Sequence, residues 1–192
     1  MDLKELKSAA RSNLEKLSNR VRSLAPGTIY NSLCASTLLP VISAAGLGDW
    51  GPAGALCGVL GSMGGGLVAG RIQEWQKRSE AELVTELGEK AERDPKWREA
   101  LDKLLEEFDA PRIVQSALSD TDKEWFASTL KDELSKLGNL ERYQAMLVGD
   151  GAIAQGEGAK GAGKRGVAAE TIQDSIVIPG DQNLAAKGHI VR

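Results

Sequence analysis

Leu3, Leu6, Ala10, Leu14, Leu17, Val21 and Leu24 recur at three- and four-residue steps, with Lys4, Lys7, Arg11, Lys16 and Arg20 between them. That period predicts an amphipathic helix over residues 1–26, ended by Ala25-Pro26-Gly27. The alternation then stops. From Gly27 to Gly70, 44 consecutive positions hold a single charge, Asp49. The charge divides the run into Gly27–Gly48 and Trp50–Gly70, each about 20 residues and so each long enough to cross a bilayer as a helix. Leu47-Gly48-Asp49-Trp50-Gly51-Pro52 reads as the tight turn between them, which makes residues 27–73 an apolar helical hairpin.

Amphipathic periodicity returns over residues 74–148 and predicts a small helical bundle. A helix is expected to run on from the hairpin through Trp75, Leu83, Leu87 and Ala91, with Ser79 and Glu82 at cap spacing. Asp94-Pro95 is a start signal, and Trp97, Leu101, Leu104, Leu105 and Phe108 form the stripe that follows it. Pro111 opens a short helix; Thr121 and Glu124 match a capping box ahead of Trp125, Phe126, Leu130, Leu134 and Leu137. Gly138-Asn139 closes that helix, and Leu140, Tyr143 and Leu147 predict a last one.

Residues 149–192 differ in kind. Three seven-residue units begin at Gly149, Gly156 and Gly163, each rich in Gly and Ala, and Thr171–Ile178 then alternates like a strand. This pattern predicts either a short β-roll or a flexible Gly/Ala tail. The expected fold is therefore mainly α, with the β-roll or flexible segment at the end.

Two readings fit the hairpin. In the first it enters a membrane. Basic residues flank it on both sides (Lys16, Arg20 and Arg22; Arg71, Lys77 and Arg78), and the connecting loop has none. Tyr30, Trp50 and Trp75 fall near the ends of the two spans, where amphipathic aromatics settle at a bilayer surface. Gly54/Gly58, Gly61/Gly65 and Gly66/Gly70 repeat the spacing that lets helix backbones approach closely. On this reading a bulky residue at Gly61 or Gly65 blocks that packing and abolishes activity. In the second reading the same hairpin is the core of a soluble oligomer. Asn31, Ser32, Ser36, Thr37, Pro40 and Ser43 dilute the first span, and seven glycines between Gly54 and Gly70 dilute the second. Borderline apolarity also suits a hairpin stored in soluble form and released into lipid on a signal.

Charge narrows the function classes. The net charge of −3 argues against nucleic acid as a partner. Basic residues lead in the first third, whereas acidic residues lead in the bundle; this suits a membrane-facing front and a solvent-facing module. Cys34 and Cys57 both lie in the hairpin and read as small buried hydrophobes. With no disulfide framework and no signal-peptide pattern, the expected place is the cytoplasm or the inner-membrane face.

Little points to catalysis. His189 is the only histidine, so neither a His-based triad nor a His-containing zinc site has material to work with. Gly158-x-x-x-x-Gly163-Lys164 has the spacing of a phosphate-binding loop, but Arg165 stands where Ser or Thr is needed, and no strand precedes it. Glu106, Glu107 and Asp109 read as a solvated helix face. No enzyme, cofactor or metal is expected. Lys160, Lys164 and Arg165 offer sites to a trypsin-like protease, and Ile172, Ile176 and Ile178 offer a strand to a partner's sheet edge.

The order of Gly-rich apolar hairpin, acidic bundle and the segment GDGAIAQGEGAKGAGKRGVAAE resembles the N-terminal regions of bacterial multidomain defence and signalling proteins. Those proteins carry NACHT-type, caspase-like or formylglycine-generating-enzyme-like domains, none of which is present in this chain. The Gly151-Ala152-Ile153-Ala154 unit is similar to head repeats of trimeric autotransporter adhesins, which implies a trimer. Together these features lead to an expected oligomeric, pore-forming or membrane-disrupting effector. Its partners would be further copies of itself (a trimer or higher), the bilayer, and a protease or signalling protein at the tail. The other reading is a soluble oligomeric adaptor.

Overall fold

Asp2 and Glu5 exchange backbone and side-chain hydrogen bonds in a capping box, which starts the first helix, α1 (Leu3–Ser18). Residues 2–138 are described by the computed structural model, and over them the fold is seven α-helices with no strand. The expected β-roll, the helix through Leu140, Tyr143 and Leu147, the protease-accessible basic residues, and Ile172, Ile176 and Ile178 all lie outside the described residues.

The stripe of α1 buries Leu6, Ala10, Leu14 and Leu17, as its period requires. The helix stops short of Leu24, at Ser18, and a 3-10 turn over Val21–Ser23 carries the chain onward. Next come α2 (Ile29–Gly46) and α3 (Gly51–Trp75), then α4 (Glu80–Arg93), α5 (Pro95–Glu107), α6 (Ala110–Ser116) and α7 (Asp120–Lys136). The chain breaks between Trp75 and Glu80 instead of continuing as one helix, because Ser79 and Glu82 form a capping box there. Ser79→Ala is expected to cost about 1 kcal/mol, read as a lowered midpoint in urea unfolding. An unchanged midpoint would mean that another group caps the start of α4.

Asp94 caps α5 as its sequence indicates, accepting from the Lys96 amide at 2.9 Å. The cap of α7 is Ser119 paired with Asp122, two residues before the Thr121/Glu124 pair that the sequence favours. Gly138, with φ of 74°, ends α7 in the left-handed conformation that suits glycine.

The architecture turns on α2. It packs against each of the other six helices, so the amphipathic helix, the hairpin and the bundle share one core. Ionic contacts tie the same segments together at the surface. Arg20 pairs with Glu80, Arg22 with Asp122 at 2.6 Å, Arg78 with Glu86 at 2.9 Å and Lys7 with Glu107 at 2.7 Å. The Arg22 guanidinium also lies 4.4 Å from the ring centre of Trp125. The basic flanks of the hairpin are thus met by the acidic module of the same chain. Each pair is partly exposed, so each contributes at most about 1 kcal/mol, and less in salt.

Candidate functional site

Among the described residues, two helices are long and apolar enough to span a membrane, and the fold treats them differently. The window Ile29–Gly46 is 78% buried, while that within Gly51–Trp75 is only 28% buried.

Three polar contacts and one close approach position α2. Its first amides have no side-chain cap of their own, since the Thr28 hydroxyl donates back to the Ala25 carbonyl. Glu133, on α7, supplies the missing acceptor: its two carboxylate oxygens accept from the Ile29 amide at 3.2 Å and the Tyr30 amide at 2.9 Å. Burial raises the Glu133 carboxyl above the usual glutamate range, against the opposing pull of the Tyr30, Ile29 and Gly27 amides and of Lys136. One turn inward, the Tyr30 hydroxyl donates to Asp102 of α5 at 2.8 Å, and both side chains are buried. Gly88 of α4 lies so close to Asn31 that a Cβ there would collide with the Asn31 amide. Helices α4, α5 and α7 therefore hold the N-terminal end of α2 together.

The second candidate span is folded in two. Gly61 has φ 77° and ψ 175°, an extended conformation open in practice only to glycine, in the middle of an otherwise helical run. The chain doubles back at this residue. A Cβ on Gly65 would stand 2.7 Å from the Cys57 Cα, and the Cys57 thiol donates to the Gly65 carbonyl at 3.4 Å. On a continuous helix those two residues are about 12 Å apart. At the open end, a Cβ on Gly46 would touch the Gln76 side chain at 3.9 Å, so the end of α3 returns to the end of α2. Residues 62–75 rest on α5, where a Cβ on Gly64 would meet the Ala100 Cβ at 3.2 Å and Trp75 packs edge-on against Trp97, 5.9 Å between ring centres.

The six glycines at close-packing spacing therefore do different jobs within the chain. Gly61 is the corner and Gly65 the inside of the bend, not two points on one helix face. Gly54, Gly58, Gly66 and Gly70 face open space, with nothing within 4 Å of an added Cβ. The aromatics also divide. Tyr30 and Trp75 are core residues at 1% exposure, because α5 and its neighbours close over both rings. Trp50 remains exposed, beside Leu47 at 89% exposure in the α2–α3 turn, and Met63 is exposed near the corner. Cys34 is buried and Cys57 partly so. The glycines with the closest neighbours outside the bend, Gly64 and Gly88, carry no signal in the sequence beyond being glycine in a helix.

No family model, curated protein or solved structure matches this chain. Among the described residues no cluster of three or more His, Cys, Asp or Glu side chains is placed to hold a metal ion. What the arrangement offers is an apolar hairpin whose first helix is enclosed and whose second is folded on the outside.

Proposed function

We propose that the chain is a membrane-inserting, self-associating effector module of a bacterial defence or signalling system, stored in a water-soluble helical form. It acts from the cytoplasm on the inner membrane, as a trimer or higher oligomer, and no catalysis is involved. The observation that carries this reading is a pair of open glycine faces, Gly54/Gly58 before the bend in α3 and Gly66/Gly70 after it. Glycine in an exposed helix interior costs about 1 kcal/mol relative to alanine. Gly54, Gly58, Gly66 and Gly70 have no neighbour within the chain that requires them to be so small. A face of this kind gains from glycine when a second helix backbone lies against it, in lipid or between copies. The exposed Leu47 and Trp50 at the hairpin turn and Met63 at the corner supply apolar contacts to enter a bilayer surface. The order of hairpin, bundle and Gly/Ala segment, like that of bacterial defence proteins, supports the biological setting. A protease or signalling protein at the tail supplies the release signal.

The open glycines are also the right positions to test it. A Cβ at Gly58 or Gly66 has nothing within 4 Å, so the soluble fold of Gly58→Leu with Gly66→Leu should persist with unchanged or slightly raised stability. Purified wild-type protein is expected to stay soluble in the absence of lipid and, once vesicles are added, to co-float with them, resist carbonate extraction and release dye. The double variant is expected to lose at least tenfold in release. Full release by a folded double variant would remove the glycine face from the mechanism.

A soluble adaptor is the second reading, favoured by the enclosure of α2 and by the buried contacts from Glu133 and Asp102. On that reading the open glycine face joins copies in water, and the tail docks a partner. Wild type that stays off vesicles as a defined oligomer, which the double variant disrupts, would select it. Leu56→Asp is expected to break the soluble fold on either reading, since Leu56 is 1% exposed and a charge there would be buried.

A further inference from the structure

We infer that Gly61 is a hinge, and that rotation about this one residue converts the folded-back α3 into a single straight helix long enough to cross a bilayer. The inference rests on the membrane-inserting reading above and adds the conformational step to it.

Length carries the argument. Of the 25 residues of α3, 10 precede Gly61 and 14 follow it. As helices these halves are about 15 Å and about 21 Å long, both short of the hydrocarbon core of about 30 Å. Joined with helical dihedrals at Gly61 they reach about 37 Å, enough to span with some tilt. Every other residue of the run already has helical dihedrals, so within α3 one pair of angles separates the two forms. Because Gly46 lies beside Gln76 and the five residues from Gly46 to Gly51 reach at most about 18 Å, straightening also draws the end of α2 from its seat. Only glycine is comfortable at φ 77° and ψ 175° and also free to become helical.

The contacts inside the bend fit a joint that closes without being welded. Cys57 meets the backbone of Gly65, where no side chain interlocks, and the thiol–carbonyl contact at 3.4 Å is a weak hydrogen bond. On the outer side, a Cβ at Gly61 would come no nearer to any atom than 3.8 Å from the flexible end of Lys103. Residues 62–75 are seated on α5 through Gly64, Trp75 and the other apolar residues they bury, whereas residues 51–60, which bury Pro52, Ala53, Leu56 and Leu60 and must release them on opening, lead to the exposed Leu47–Trp50 turn. The 51–60 half is therefore the arm that swings, and the exposed turn is its leading end.

Two variants and one distance test the hinge. Spin labels go on Ala55→Cys and Ala69→Cys, both partly exposed and away from the open glycine positions, in the full chain with Cys34→Ala and Cys57→Ala. These positions lie between the Gly46–Gln76 and Cys57–Gly65 contacts, so in water the two backbones are separated by about one helix spacing, 8–10 Å. On phosphatidylethanolamine–phosphatidylglycerol vesicles the separation is expected to grow to about 21 Å, the length of fourteen helical residues. Gly61→Ala in the same background penalises the bend and acts as a built-in trigger, shifting the population about tenfold or more toward the straight form. Ser62→Ala is the control, next to the hinge, exposed and with helical dihedrals, and should shift nothing. In a separate chain, Gly65→Cys beside native Cys57 forms a disulfide only when the bend is closed, after a yield of about 1 Å, and oxidation should then block dye release until reductant is added. Protein that co-floats with vesicles and releases dye while the label distance stays short in wild type and Gly61→Ala would overturn the hinge and leave membrane insertion standing. Failure of both proteins to co-float would overturn the hinge together with the reading beneath it.

Discussion

Gly65→Leu is expected to destabilise the soluble fold by about 3 kcal/mol, at the upper end for overpacking. The new Cβ would sit 2.7 Å from the Cys57 Cα and 2.9 Å from its carbonyl oxygen, and these are backbone atoms that cannot rotate away. Relief requires residues 51–60 to lift off residues 62–75. Urea unfolding should register the loss as a lower midpoint, and Gly66→Leu, one residue along and in open space, should leave the midpoint close to wild type. Equal midpoints for the two variants would mean that the chain in solution does not fold back at Gly61. The sequence alone leads to another expectation for Gly65→Leu, that it blocks helix packing in the membrane. In the fold its first effect is on the stored form, and by opening the bend it favours the straight helix. A variant that is less stable yet more active in vesicle release is the expected combination.

Removing the acceptor at the head of α2 is the second large effect. Glu133→Ala leaves the Ile29 and Tyr30 amides without a partner in a buried site. Each orphaned donor costs about 1–3 kcal/mol, and release of the carboxylate from its desolvated position returns part of that, so the net loss is about 2 kcal/mol. Glu133→Gln should lose less, since one amide keeps an acceptor. The pH dependence separates charge from packing. Because burial raises the Glu133 carboxyl, the folded chain holds that proton more tightly than the unfolded chain. Its stabilising contribution is complete below the ordinary glutamate value of about 4.3 and is lost as pH rises through the raised folded value. The stability gap between wild type and Glu133→Gln should therefore widen on acidification from neutrality into that range. A gap that narrows instead would show the carboxylate to be stabilised, not strained, by its site. Acid tightens this clasp on α2, so Glu133 is not an acid-operated release.

These two residues mark how far the site could be read from the chain. Ser79, Asp94 and Gly138 announce helix ends because capping is chemistry within a few residues. Glu133 is as polar as its neighbours in sequence, and nothing local indicates that it caps a helix 103 residues away. Tyr30 and Trp75 have the composition of interfacial aromatics, and only the arrival of α5 makes them core.

What the sequence determined by itself is the set of helices: residue period fixes which segments coil and which stripe of α1, α4 and α5 turns inward, because a stripe must be covered. It also determined that residues 27–70 must hide apolar surface from water. Tertiary structure decided how. An apolar run with no polar face has no preferred side, so period cannot say which helix is enclosed, and packing chose α2. Glycine permits both a helix and a reversal, so local sequence is silent at Gly61. The fold-back there is set by residues 62–75 seating on α5, a contact that exists only once the helices have assembled.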